Sequence, residues 1–97
     1  MAMHNPPHPG EFIRSVYLEP FELSARALAK KLAVSPSTLN RIITGKSGIS
    51  PEMALRLSKT LGRSAESWLA MQDYYDLWLA KQHTKLDEVQ HIEFAAA

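Results

Sequence analysis

Cysteine is absent from the chain, which excludes disulfide scaffolds and thiolate metal sites and makes a cytoplasmic location the expectation. No apolar run exceeds four residues, against the roughly 18 of a membrane span, and no secretory pattern opens the sequence. A membrane partner is therefore not expected. Glycine is scarce, with four in 97 residues, and none sits in a phosphate-cradling loop or a nucleophile elbow. Catalysis is not expected either, and neither a cofactor nor a metal is implied. His4 and His8 lie in a proline-rich arm that lacks a third ligand and fixed geometry. Glu66, Asp73 and Asp76 share one polar helix face as solvated charges.

What is present is one small domain, 45% apolar and 22% charged. A chain this short buries only about 60–65% of its unfolded surface, so association would add useful burial. The net charge of +1 hides an asymmetry. Between Val34 and Arg63, Arg41, Lys46, Arg56, Lys59 and Arg63 are set against Glu52 alone. From Ser64 onward, Lys81 and Lys85 face Glu66, Asp73, Asp76, Asp87, Glu88 and Glu93. A basic middle suits a polyanion, and an acidic end suits a different contact. Chance clustering on solvated faces is the alternative.

Turn and cap residues divide the chain into an extended arm over 1–9, a helical body over 10–82 and a loosely ordered tail over 83–97. Pro9 and Glu11 suit the first turn of a helix whose apolar stripe is Phe12, Ile13, Val16 and Tyr17, stopped by Pro20. Ser24, Ser35, Ser50 and Ser64 are N-caps for four more helices, two of them with proline next in line. Gly45 ends the third helix, Gly62 the fourth, and the fifth runs to about His83. The fold class is all-α, with five helices. In the tail, Leu86, Val89 and Ile92 fit one face of a short helix, while 89–94 also fits an edge strand.

Helices two and three are joined by Ala33, Val34 and Ser35 alone, the connection of a helix-turn-helix spanning about 24–44. So short a turn makes the helices cross steeply, and Ala29 provides the small residue at the crossing. On the third helix, Leu39, Ile42 and Ile43 form the inner face. Ser37, Thr38, Asn40, Arg41 and Thr44 lie across the outer one. Short hydroxyl and amide side chains around one arginine suit the DNA major groove, where arginine can bond guanine through two donors. Ser35 and the first-turn amides can hold a phosphate, with Lys46 and Arg26 flanking it on either side. A solvated face in a generic bundle is the competing reading.

The segment SARALAKKLAVSPSTLNRIITG, Ser24 to Gly45, resembles the helix-turn-helix of the lambda-repressor/Cro (XRE) class. With NPPHPGEFIR, GKSGISPEMALRLSKTLG and SAESWLAMQDYYDLW around it, the chain from Asn5 to Trp78 is similar to the HigA antitoxin family of bacteria. The resemblance implies a lambda-repressor-like domain that binds palindromic operator DNA as a homodimer and represses its own operon. It also implies that the protein neutralises an mRNA-cleaving, HigB-like ribonuclease toxin. Carried over by position, the DNA-facing residues are Ser35, Ser37, Thr38, Asn40, Arg41 and Thr44. Two positions depart from the pattern. Ala33 stands where the turn often has glycine, and Pro36 stands where repressors often carry a base-reading glutamine.

Helix five carries a wider apolar arc than one core requires. Trp68 and Tyr75 fit the core, whereas Met71, Tyr74, Leu77 and Trp78 are left for a dimer or partner interface. Two recognition helices about 34 Å apart would match one turn of DNA. The toxin is the rival occupant of this surface or of the acidic tail. A stand-alone regulator, and an inhibitor whose helix-turn-helix is only a scaffold, remain as alternative functions.

Overall fold

The computed structural model describes residues 5–95. The first four residues of the arm, including His4, and the last two of the tail lie outside the described residues. The fold is all-α: α1 (Pro9–Ile13), α2 (Ala25–Leu32), α3 (Pro36–Ile43), α4 (Pro51–Leu61) and α5 (Ala65–His83).

Local chemistry sets the helix starts. The hydroxyls of Ser24, Ser35, Ser50 and Ser64 each accept the amide proton three residues on, at 3.0–3.1 Å. Each therefore satisfies one of the donors that a helix N-terminus leaves unpaired. At α1 the cap is instead an imidazole: His8 Nδ1 accepts from the Gly10 amide at 2.9 Å.

The first helix departs from its expected stripe. After Ile13 the backbone widens into a π-helical segment, Arg14–Leu18, with the Glu19 amide donating to the Arg14 carbonyl at 2.9 Å. The wider winding rotates the later side chains, so Leu18 is buried and Val16 is exposed, the reverse of a regular α-helical count. Pro20 then falls in the turn that follows.

Ile13, Leu28, Ala29, Leu32, Leu39, Ile42, Met53, Ala54, Leu57 and Trp68 form one core. Ala29 is fully buried within this core. Phe12 and Tyr17 meet Trp68 at centroid distances of 5.9 and 6.3 Å, and the Arg63 guanidinium lies 5.0 Å from the Phe12 ring centre. Beyond His83 the tail stands away from the helices. The radius of gyration is 17.2 Å, above the roughly 12–13 Å of a compact chain this long.

Candidate nucleic-acid interface

The α2–α3 turn depends on one residue in an unfavourable conformation. Ala33 has φ 59° and ψ 42°, the left-handed region that a Cβ disfavours. Its amide donates to the Lys30 carbonyl at 3.1 Å and the Val34 amide to the Ala29 carbonyl at 3.0 Å, which closes the end of α2. Arg56 reaches across from α4 to finish that end. Its Nη1 donates to the Leu32 and Ala33 carbonyls at 2.9 and 3.3 Å, while Nε and Nη2 bond Glu52.

Behind α3, backbone meets backbone. A Cβ on Gly10 would overlap the Ile42 carbonyl oxygen, so α1 lies against the inner side of the recognition helix only because residue 10 has no side chain. With Leu39 and Ile42 buried as well, α3 is fixed from behind by α1 and α2.

The outer side is open. Ser37, Asn40, Arg41, Thr44 and Lys46 are exposed, Thr38 is half-buried, and Ser35 is exposed at the N-cap. Three of the hydroxyls form a local chain: Ser35 Oγ lies 2.8 Å from Thr38 Oγ1 and 3.3 Å from Ser37 Oγ. The Thr44 hydroxyl donates back to the Asn40 carbonyl at 2.8 Å. Among the described residues no carboxylate lies within ion-pair distance of Arg41. Arg26 lines a shallow groove between the first turns of α2 and α3, together with Lys30, Val34 and Pro36. Lys46 stands past the other end of α3, where its own amide and that of Ser47 donate to the Arg41 carbonyl at 2.8 and 3.0 Å. Seven of the eight DNA-facing candidates are thus exposed and Thr38 is half-buried, with Arg26 near the start of α3 and Lys46 past its end.

Two cations of the basic middle segment do not belong to this face. Arg56 is tied to α2 and Glu52, and Arg63 covers the Phe12 and Trp68 rings. The positive field is narrower than the linear charge count suggests.

The loop after α3 is held by residues that sequence reasoning missed. Gln72 is buried; its Oε1 accepts from the Ile49 amide at 2.9 Å and its Nε2 donates to Asp76 at 3.0 Å. A Cβ on Gly48 would come within 2.9 Å of this side chain. One signal was available: Gln72 lies one helical turn after Trp68, an amide on the core-facing stripe of α5. His8 meets the Tyr75 ring edge-on at 4.9 Å. Burial holds its pKa below the ordinary imidazole value, while the Asp76 and Glu11 carboxylates and a backbone hydrogen bond to Ser47 pull the other way.

On α5, Tyr74 and Leu77 are exposed and Met71 and Trp78 are half-buried. Met71 and Tyr74 line an apolar groove with Pro6, Pro7 and Phe12, whereas Trp78 leans on Tyr75 at 6.4 Å. The four lie between the seventh and the fourteenth residue of α5.

The sequence pattern of the helix-turn-helix family matches residues 16–68. An addiction module antidote protein of the HigA family from Coxiella burnetii superposes with a TM-score of 0.82 at 34% identity, over 94% of this chain and 100% of that one. The chain belongs to the HigA-like branch of the XRE-type helix-turn-helix family. A second HigA-like relative, the Pseudomonas aeruginosa antitoxin HigA solved with the higBA promoter, has a TM-score of 0.79 and 37% identity over 90% of this chain and 97% of that one. Virulence-associated protein I of Dichelobacter nodosus is 53% identical over 77% of this chain and 69% of its own length. The segments NPPHPGEF and GKSGIS hold the Gly10 contact with α3 and the loop bonded by Gln72.

Proposed function

We propose that the chain is a cytoplasmic antitoxin that binds operator DNA as a dimer, represses its own operon and neutralises an mRNA-cleaving, HigB-like toxin. The observation carrying the DNA part is the outer side of α3. Arg41 and Asn40 project from a helix held rigidly by α1 and α2, between Arg26 at one end and Lys46 at the other. Arg41 and Asn40 are assigned to base edges. Ser35, Ser37, Thr38, Thr44, Arg26 and Lys46 are assigned to the phosphates that set register. Support also comes from the likeness to an antitoxin solved on its promoter.

Met71, Tyr74, Leu77 and Trp78 are assigned to the dimer contact, which would present two recognition helices to successive half-sites. Residues 10–82 act as the DNA-binding body and 83–97 as an appendage to it. Arg41→Ala is expected to weaken cognate operator binding by about 1–3 kcal/mol in a titration and to leave the circular dichroism unchanged. Unaltered operator affinity would overturn the assignment of the reading side. Co-purification of the toxin, unaffected by Arg41→Ala, separates the antitoxin from a lone regulator.

A further inference from the structure

His8 is 9% exposed and stands between two pieces of backbone that fix the DNA-facing side. Its Nδ1 accepts the Gly10 amide proton at 2.9 Å, which holds the residue whose bare backbone meets the Ile42 carbonyl behind α3. A neutral imidazole that accepts at Nδ1 carries its one hydrogen on Nε2. That hydrogen is left to donate to the Ser47 backbone. Ser47 follows Lys46, and the amides of both donate to the Arg41 carbonyl at 3.0 and 2.8 Å. One buried ring therefore joins the start of α1 to the loop that presents Lys46.

This arrangement exists in one protonation state only. A second ring hydrogen turns Nδ1 into a donor facing the Gly10 N–H, so the cap is lost and the start of α1 is pushed from its place. The groups around the ring act in both directions. Glu11 from α1 and Asp76 from α5 favour an added positive charge, whereas Arg14, lining the same cleft, and Lys46 in the loop carry the opposing sign. Tyr75 of α5 meets the ring edge-on at 4.9 Å, and α3 contributes only the uncharged Ile43 and Thr44. Burial outweighs the two carboxylates and keeps the ring neutral at pH 7. The cleft that the ring lines is open, so solvent reaches its edge.

We infer that neutral His8 is a positioning residue for operator binding, holding α1 against α3 and the Lys46 loop in place, and that its protonation loosens the grip on DNA. The inference rests on the DNA-binding reading and adds acid sensitivity to it. Its sign is distinctive. Protonating the exposed His83 and His91 adds positive charge and favours a polyanion, whereas protonating His8 disturbs the surface that meets one.

The test titrates the full chain with a duplex carrying the promoter of its own operon, at pH 7 and pH 5. Ionic strength is fixed, and the temperature is one at which circular dichroism shows a folded protein. Wild-type affinity should fall by about threefold to tenfold over this step, the linkage of a single histidine. The slope of log affinity against log salt should drop by about one as Lys46 leaves its phosphate. His8→Asn keeps an acceptor for Gly10 that does not titrate, and both profiles should be flatter for it, whatever its starting affinity. The wild type supplies a second readout: by NMR, the His8 ring should titrate at lower pH with the duplex bound than without it. A wild type that keeps its affinity at pH 5, or loses no more than His8→Asn does, would overturn the role of His8 and leave the DNA reading standing. So would a ring titration that the duplex does not move. An unchanged salt slope would overturn the Lys46 loop as the part released. A chain that does not bind the duplex at pH 7 would overturn the DNA reading itself, and this inference with it.

Discussion

Gln72 and Ile49, 23 positions apart, are joined by a hydrogen bond of 2.9 Å from the Ile49 amide to the Gln72 side-chain oxygen. The Gln72 side-chain nitrogen in turn donates to Asp76, one turn further along α5. Through this side chain, the helix assigned to the dimer holds the loop that carries Lys46. Gln72→Ala strands a buried amide and is expected to cost about 1–3 kcal/mol in chemical denaturation. The larger consequence is a loop freed from α5. Operator affinity should then fall further at a protein concentration and temperature where the variant is still fully folded.

Lys46 and Arg56 both belong to the basic middle segment and should behave oppositely. Lys46→Ala is expected to reduce the slope of log affinity against log salt by about one, with stability unchanged. Arg56→Ala removes the donor from the Leu32 and Ala33 carbonyls. It should lower stability by about 1–2 kcal/mol and leave the salt slope alone, since hydrogen bonds to charged groups are among the stronger ones. Salt titrations and melting curves of the two variants check both outcomes.

His8 makes stability depend on pH. Its Nδ1 must be unprotonated to accept from Gly10, and burial keeps the folded-state pKa below that of the unfolded chain. The unfolded state therefore binds more protons as the solution is acidified. The His8 contribution is complete above the unfolded value of about 6.5 and is lost as pH falls below it. His8→Asn keeps a capping acceptor without this titration. Denaturation between pH 7 and pH 5 should show a flatter profile for the variant than for the wild type.

The turn and the helix crossing respond to glycine in opposite senses. Ala33→Gly relieves a left-handed residue at a site where the side chain is exposed. After the greater freedom of the unfolded chain is subtracted, a net gain of about 0.5–1 kcal/mol is expected. Gly10→Ala drives a methyl group into the Ile42 carbonyl, and α1 must move off α3. A loss of several kcal/mol, on the order of the overpacking penalties of well-packed cores, should appear in thermal melts, together with weakened operator binding.

The sequence by itself determined the punctuation of this protein. Ser24, Ser35, Ser50 and Ser64 cap where they were expected to, and Ala33 takes the left-handed turn that a three-residue connection requires. The helical period alone divided α3 into an inner side of Leu39, Ile42 and Ile43, the last of them half-buried, and an outer side around Arg41. All of these follow from forces acting within a few residues, so a short window of sequence contains both partners of each interaction.

The tertiary structure decided what distant partners do to one another. Glu52, one turn before it, is the local sign that sets Arg56 apart from Lys46, yet only the packing of α4 brings Arg56 to the end of α2 while Lys46 stays exposed beyond α3. Gly10 reads as the end of an arm until Ile42 is set against it. Gln72 reads as one more polar residue until the Ile49 amide arrives. The π-helical turn that buries Leu18 instead of Val16 has the same origin. Its winding follows the core it must cover, and that core is assembled from Leu28, Leu57 and Trp68, which come together only in the folded chain.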